Sequence, residues 1–417
     1  MRRSPNFWLT AALLVLSPAC DLGGSDDDTG NSDATGDAPG GDTMGATEGT
    51  GGTGPGASEG ADDESSGDPV DPGGPMVWVP VGGPCAGSGT NALWFDDANV
   101  GFVGCGENAD GEGLYTTIDG GTTWESQMRF GEVRVMDIRR GPDGVLYGAG
   151  IHQLDGYSVF SIDESDPERL DPRGLYQPGT SAFSAVNQAE NVAVTGDGEI
   201  LIDSLTGTSC AHQPAGGEFT EYESLSEAAI ADPDAPGIQV RRILAHDNSF
   251  YAVGSLINDP ARVHLPSMLP DATFHFQSVE LQPETRDGEL LDMHIWDSTH
   301  MIVAGHDQSE RYPLMYLLDG GDPYMVDSWE QIELWDSDLE YEGGYNGIAV
   351  DGDVVVGVGE KIPTSQGGFV VHSTDGGRTF VDITPEGAGA LSRVFMLGNG
   401  ELVVAGGGGE MWLYVSE

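Results

Sequence analysis

The chain is short of basic residues. It has 16 lysines and arginines against 69 acids in 417 residues, Lys361 is its only lysine, and its formal net charge is −53. A surface with this charge repels nucleic acid and anionic lipid. We therefore expect no nucleic acid partner and no membrane contact through the folded part of the chain. The charge suits cationic partners, divalent ions, or solubility alone.

The chain also lacks a long hydrophobic run at its start. Arg2 and Arg3 precede an apolar stretch over residues 7–16. This stretch has the length of a signal-peptide core and is too short to span a bilayer, which takes roughly 20 apolar residues. We interpret residues 1–20 as a signal peptide, so the protein is predicted to be exported.

The apolar stretch ends in the sequence Leu-Ser-Pro-Ala-Cys at residues 16–20, which resembles the bacterial lipobox. The resemblance implies that Cys20 receives the lipid and becomes the mature N-terminus. Ser17 departs from the commonest pattern, which has leucine there. The alternative is ordinary secretion with cleavage near Ala19. Lipidation predicts a cell-envelope protein that faces the periplasm or the cell exterior.

Residues 21–75 contain no lysine, no arginine and no aromatic residue. A segment rich in Gly, Asp, Ser and Thr buries too little apolar surface to offset its chain entropy, so we predict a disordered acidic tether. A flexible coil of this length has ends roughly 40 Å apart on average. The predicted folded domain is residues 76–417.

Cysteine is scarce, with four copies. If Cys20 carries a lipid, Cys85, Cys105 and Cys210 remain, and an exported protein favours disulfides. Cys85 and Cys105 flank the first sequence repeat and are predicted to pair. Cys210 is then a free or buried thiol.

After residue 76 no helical apolar period of useful length occurs. A β-rich run, a turn of Gly, Asp or Asn, and a second β-rich run ending in small residues recur seven times, with glycine ends about 45 to 58 residues apart. This period is typical of β-propeller blades; a β-sandwich with long loops is the alternative. The repeats are residues 92–104, 133–150, 182–196, 243–254, 293–305, 348–357 and 394–406.

Two segments, residues 117–124 and 373–380, share the pattern Ser/Thr-x-Asp-x-Gly-x-Thr-Trp/Phe. In such a turn the aspartate accepts backbone N–H bonds, glycine relieves the crowded backbone, and the aromatic ring packs between strands. We interpret these residues as structural rather than catalytic. They are Thr117, Asp119, Gly121, Thr123 and Trp124, and Ser373, Asp375, Gly377, Thr379 and Phe380.

Residues 97–104 together with residues 117–124 resemble the BNR/Asp-box propeller superfamily, and the first blade is most similar to the Ycf48-type repeats. The resemblance covers residues 88–417 in architecture, with its specific motifs in two blades. It implies an all-β, seven-bladed β-propeller with Asp-box turns. It implies little about activity, because the superfamily holds enzymes, receptors and assembly factors.

Catalytic and metal-binding patterns are missing. No Arg-Ile-Pro motif occurs, and the nearest string, at residues 361–363, begins with lysine, which argues against a sialidase. His294, His300 and His306 lie six residues apart on a strand, its turn and the next strand, so a shared metal is not expected. We predict no enzyme activity, no cofactor and no metal.

Two basic doublets stand out in so acidic a chain. Arg139, Arg140, Arg241 and Arg242 lie on or just after the first strand of a repeat, the strand that lines the central channel of a propeller. They are candidate contacts for an anionic ligand near one channel mouth. The alternative interpretation is that they pair with neighbouring acids.

Residues 77–81 form a β-prone segment outside the seven repeats, just after the tether, and Pro80 suits an edge strand. The last repeat offers three strands of its own. We therefore predict that residues 77–81 supply the outer strand of the final blade and close the ring.

Together these features predict a monomeric, membrane-anchored extracytoplasmic lipoprotein whose propeller binds a protein or a glycan through one face. The alternative is a polysaccharide-active glycoside hydrolase with paired carboxylates at the channel mouth. A purely structural role in the envelope is a third option.

Overall fold

A computed structural model of the chain divides it into two units, Met1–Ser66 and Gly67–Glu417. The residues that it describes all belong to the second unit, so the signal peptide and nearly all of the tether lie outside them. The described residues are 75–85, 87–106, 113–127, 133–152, 157–164, 170–177, 188–204, 210–222, 239–255, 261–266, 276–281, 288–307, 312–332, 343–362 and 367–417.

The second unit consists of seven four-stranded antiparallel sheets. This confirms the predicted seven-bladed β-propeller. A single 3₁₀ turn, Val326–Ser328, is the only helical element within the described ranges, and no helix there could cross a bilayer.

The first four blades follow the chain from its first repeat, each with its strands in sequence order. Blade 1 contains β2 (Thr90–Phe95), β3 (Gly101–Cys105), β4 (Leu114–Thr117) and β5 (Glu125–Gln127). Blade 2 contains β6 (Val133–Arg140), β7 (Leu146–His152), β8 (Val159–Asp163) and β9 (Asp171–Tyr176). Blade 3 contains β10 (Ala189–Val194), β11 (Ile200–Ser204), β12 (Cys210–Gln213) and β13 (Thr220–Tyr222). Blade 4 contains β14 (Gln239–His246), β15 (Ser249–Ser255), β16 (Arg262–Pro266) and β17 (Phe276–Glu280).

The last three blades complete the ring, and the final one takes its fourth strand from the start of the domain. Blade 5 contains β18 (Gly288–Asp297), β19 (His300–Asp307), β20 (Pro313–Asp319) and β21 (Trp329–Gln331). Blade 6 contains β22 (Gly343–Asp351), β23 (Val354–Lys361), β24 (Gly368–Ser373) and β25 (Val381–Asp382). Blade 7 contains β26 (Leu391–Gly398), β27 (Glu401–Gly406), β28 (Met411–Ser416) and β1 (Met76–Val81).

The strand β1 closes the ring as predicted. It pairs antiparallel with β28, and its Trp78 is the register partner of Tyr414, with ring centroids 4.7 Å apart. The indole Nε1 of Trp78 donates to the carbonyl of Ile383 in blade 6, so β1 also ties the last blade to its neighbour. The two ends of the domain thus share one sheet, which leaves the first and last blades without a free seam.

The hydrophobic core lies between the blades. Seven clusters of buried apolar residues each join one blade to the next, including one that joins blade 7 to blade 1. Cys85 and Cys105 form a disulfide in that last cluster, with their Cα atoms 5.4 Å apart. Cys210 is a buried free thiol between blades 3 and 4, and burial raises its pKa.

Every innermost strand carries a β-bulge at the same place. In each blade the register between the first two strands slips by one residue, one to three residues into the inner strand. We call the extra residues the bulge residues. They are Asn91, Met136, the pair Glu190 and Asn191, Arg241, Leu291, Asn346 and Ser392.

The bulges explain why glycine recurs on the second strand. Gly305 is the register partner of Leu290, the residue before the bulge of blade 5. A Cβ atom on Gly305 would lie 1.8 Å from the carbonyl oxygen of Glu289. Gly150 and Gly359 stand in the same position in blades 2 and 6, at 1.9 and 2.0 Å from a backbone oxygen. A side chain here would push the two strands apart.

We expect Gly305→Ala to destabilise the propeller, because the added methyl group meets backbone that cannot move without opening the bulge. The expected loss is about 1–3 kcal/mol of unfolding free energy, the usual cost of overpacking. Urea denaturation measures it. Gly82→Ala is the matched control, since a Cβ there has nothing within 4 Å. Equal midpoints for the two variants would contradict the role assigned to the bulge.

Candidate binding site in the central channel

The inner strands surround a channel that holds two cavities. One, of about 350 Å³, lies where the inner strands begin, and we call it the bulge-side cavity. The other, of about 300 Å³, lies towards the hairpin turns at which the inner strands end, and we call it the turn-side cavity. Both volumes are at the lower end of the range of small-ligand sites, roughly 300–1,000 Å³.

The bulges decide which side chains reach which cavity. Bulge residues of blades 3 to 7 line the bulge-side cavity, among them Glu190 and Arg241. In every blade except the third, the residue that follows the bulge lines the turn-side cavity, among them Asp137 and Arg242. Arg393 lines both cavities, so its side chain stands between them.

Polar bulge residues also tie blades 3, 6 and 7 to the blade that follows each of them. The side-chain amide of Asn191 donates to the carbonyl of Arg241 at 3.1 Å, and that of Asn346 to the carbonyl of Leu391 at 2.8 Å. Across the closure of the ring, the Ser392 hydroxyl donates to the carbonyl of Thr90 at 3.1 Å. The bulge thus places a side chain where it satisfies the backbone of the neighbouring blade.

Asp137 is the centre of a charged network on the turn side. Its side chain is buried, and it accepts from Arg139 Nε at 3.0 Å and from Arg242 Nη1 at 3.2 Å. It also accepts the backbone N–H of Val192 in the next blade at 3.3 Å. Burial acts against its charge, but the two guanidinium groups and this N–H outweigh burial and keep the pKa of Asp137 below its usual value.

Asp292 continues this network on the other side of Arg242. One of its carboxylate oxygens lies 3.3 Å from Arg242 Nε, and the other accepts the backbone N–H of Ile348 at 3.0 Å. Arg242 therefore lies between two carboxylates. Burial opposes its charge, but the two aspartates raise the pKa of Arg242 above its ordinary value.

Arg393 differs from the other channel arginines. Its Nε donates to the carbonyl of Asn91 at 2.6 Å and its Nη1 to the carbonyl of Ser392 at 2.7 Å. No carboxylate among the described residues lies within ion-pair distance of it. Burial lowers the pKa of Arg393 most, and repulsion from Arg242 lowers it further. Among the described residues, its hydrogen-bond acceptors are backbone carbonyls.

The bulge side has a second charged group. Arg241 pairs with the buried Glu289, which also lies 3.7 Å from Nε2 of His306. The Oε2 atom of Glu190 is buried without a hydrogen-bond partner among the described residues, and burial raises the pKa of Glu190. Asp203 accepts two hydrogen bonds from Asn191. Burial, and to a smaller extent repulsion from Glu190, nevertheless raises the pKa of Asp203 well above its usual value.

Three of the four arginines of the basic doublets line the channel. Arg139, Arg241 and Arg242 do, whereas Arg140 lines neither cavity. Successive side chains of a strand point to opposite faces, so Arg140 is turned away from Arg139. It pairs instead with Asp96 and Glu164 and donates to a backbone carbonyl.

All four arginines of the doublets thus have carboxylate partners, which agrees with the alternative interpretation given above. Arg393, which has no carboxylate partner among the described residues, was not identified from the sequence because it has no basic neighbour there. A signal for it exists, since four inner strands have a charged residue at the position after the bulge. These residues are Asp137, Arg242, Asp292 and Arg393.

The two Asp turns lie outside the channel. Asp119 accepts from the backbone N–H of Thr123 at 2.8 Å and from its hydroxyl at 2.6 Å, and the Thr117 hydroxyl donates to it at 2.8 Å. These hydrogen bonds lower the pKa of Asp119, and the two from Thr123 have the largest effect. Asp375 makes the same set of bonds with Thr379 and Ser373. Both carboxylates are occupied by their own turns.

The three spaced histidines are not brought together. His294 lines the turn-side cavity, and burial lowers its pKa to about 4. His300 lies beside Asp297 and Asp319, and His306 beside Glu289. In the part of the chain that the structure describes, no group of three or more His, Cys, Asp or Glu residues could hold a metal ion.

Comparison with known proteins relates this chain to others by fold alone. No protein-family description and no curated protein matches it. Among solved structures, YCF48 bound to D1 peptide is similar at a TM-score of 0.53 and 15% identity, covering 82% of this chain and 97% of the other. Virginiamycin B lyase from Staphylococcus aureus gives a TM-score of 0.56 at 9% identity, covering 82% of this chain and 100% of the other. The WD40 propeller of Doa1 gives 0.54 at 11% identity, with 82% and 98% covered.

We expect Asp137→Asn to destabilise the propeller strongly, because it leaves Arg139 and Arg242 buried with too little opposite charge. Breaking a buried pair from one side costs about 3–5 kcal/mol. Urea denaturation at neutral pH measures the loss, and Asp351→Asn, at an exposed position in β22, is the matched control. A loss no larger than that of the control would show that the network does not stabilise the channel.

Proposed function

We propose that the protein is a lipid-anchored, extracytoplasmic module that binds another protein through the bulge-side face of its propeller. The observation that carries the proposal is the bulge-side cavity, which opens at the channel mouth and has charges of both signs. Arg241 and Arg393 supply donors there, and Glu190 and Glu360 supply acceptors. A polypeptide needs both, since its main chain and side chains present donors and acceptors together.

Two of the similar structures support a protein partner, since one is YCF48 bound to D1 peptide and another is the WD40 propeller of Doa1. The topology points to the same face. Segments that join one blade to the next start and end there, and the longest lies between Tyr222 and Gln239. Connections of this kind carry binding residues in many folds, because a rigid scaffold holds them in place.

The anchor and tether fit this role. Cys20 would hold the chain to a membrane through its lipid, and residues 21–75 would give the propeller a reach of roughly 40 Å from it. A strongly acidic propeller would be held off an anionic lipid surface rather than against it. The anchor would thus bring the module to the envelope.

Lipidation has a direct test in cells of the source organism. Metabolic labelling with an alkyne fatty acid should mark the wild-type protein and spare Cys20→Ala, because only a cysteine at the cleavage site receives acyl chains. Cys210→Ala is the matched control and should label like the wild type, since its thiol is buried in the propeller. Label retained in Cys20→Ala, or absent from the wild type, would rule out the anchor.

The partner can be captured by photo-crosslinking in the same cells. A photoreactive amino acid at Gly407, which lines the bulge-side cavity and where a Cβ meets nothing closer than 4.0 Å, should yield a discrete crosslinked protein. Ser298, exposed on a hairpin turn of blade 5, is the matched position and should not yield it. The same product from both positions, or none from Gly407, would contradict binding through this face.

A hydrolase remains the second candidate because of one observation. Glu190 has a raised pKa, the property of a general acid, and Glu360 lines the same cavity. Release of sugars from a panel of sialosides and β-glucans, abolished by Glu190→Gln or by Glu360→Gln, would favour catalysis over binding.

A further inference from the structure

The turn-side cavity has a charged floor. Three arginines and two aspartates line it, which leaves one positive charge in excess. Both aspartates are engaged by Arg242, and Asp137 is engaged by Arg139 as well. In the described part of the chain Arg393 has only backbone carbonyls as acceptors, so the excess charge belongs mainly to it.

The surroundings of Arg393 make this cation unusual. The chain has 69 acids, yet none of those described is within ion-pair distance of Arg393. On the bulge side, burial raises the pKa of Glu190, and this carboxylate makes no ion pair with Arg393. An unpaired guanidinium in a partly desolvated cavity gains more from an incoming anion than one in water, because the local dielectric constant is low.

The wall of the same cavity is apolar. Its partly exposed members are Trp94, Leu244, Ala349, Val350, Val394, Phe395 and Met396. The rings of Trp94 and Phe395 meet edge to face, with centroids 5.3 Å apart. Covering such side chains gains about 25 cal/mol for each Å² of apolar surface removed from water.

We propose that the turn-side cavity binds a small monoanion with an apolar body, namely a medium-chain or aromatic carboxylate. The carboxylate pairs with Arg393 at the floor, and the apolar body packs on Trp94 and Phe395. At about 300 Å³ the cavity has the volume of about ten water molecules, so the ligand has about ten non-hydrogen atoms. This site lies towards the opposite end of the channel from the proposed protein-binding face, although Arg393 lines both cavities. The proposal does not rest on the proposed function.

The large negative charge of the chain does not prevent this binding. Exposed charges act over a Debye length of about 8 Å at physiological ionic strength, and beyond it they are largely screened. Within the cavity the nearest groups decide, and those are guanidinium groups in excess. The acidic surface slows the approach of an anion and lowers its affinity at low salt, so added salt should strengthen binding moderately.

Titration calorimetry with octanoate tests the proposal on the full chain. Octanoate should bind with one site per chain, and octanol, octylammonium and acetate should each bind at least ten-fold more weakly, because each lacks the anion or the apolar body. Equal binding of octanol would show an apolar cavity without a working cation. Preference for octylammonium, or no heat from octanoate, would overturn the proposal.

Variants locate the site. Leu244→Trp should fill the cavity and weaken octanoate binding at least ten-fold, while Leu175→Trp, on the exposed outer strand of blade 2, should bind like the wild type. Arg393→Gln should abolish the preference for octanoate over octanol. Arg393 also donates to the backbone carbonyl of Asn91, so circular dichroism is used to check that the Arg393→Gln variant folds. If that variant does not fold, the result for Leu244→Trp decides. Unchanged binding in Leu244→Trp would place the ligand elsewhere and refute the site.

Discussion

The propeller depends on one backbone feature, the β-bulge that occurs at the same place in all seven inner strands. A bulge adds one residue to a strand, increases its twist and redirects the side chains that follow. Here it brings a carbonyl so close to the second strand that glycine is needed at Gly150, Gly305 and Gly359. It also sends adjacent residues to opposite ends of the channel. The ring of bulges therefore fixes the shape of the blades and the lining of both cavities.

The charged residues of the channel follow from that geometry. A chain with so few basic residues places four arginines, Arg139, Arg241, Arg242 and Arg393, around its axis. Three of them are balanced by buried carboxylates, which makes the centre rigid and costly to disturb. The fourth is not balanced. One end of the channel thus has mixed charges suited to a polypeptide, and the other has a cation beneath apolar walls.

Much of the fold could be predicted from the sequence, because hairpins and their glycine ends recur at nearly constant spacing. The ring-closing strand at residues 77–81 could also be predicted, since it was a strand without a hairpin partner. The bulges could not, because a one-residue slip reverses the facing of a strand without changing its composition. Arg140 and Arg393 show the consequence. The doublet drew attention to Arg140, which points away from the channel, while Arg393 became visible only when strands from distant parts of the chain met at the axis.

The division of the channel into two chemically different cavities can be tested most directly by diffraction. Crystals of the propeller grown with 8-bromooctanoate, recorded at the bromine absorption edge, would locate the apolar end of the ligand. The account predicts one anomalous peak in the turn-side cavity, beside Trp94 and Phe395, with the carboxylate directed to Arg393. A peak in the bulge-side cavity, or none at a saturating concentration, would contradict it.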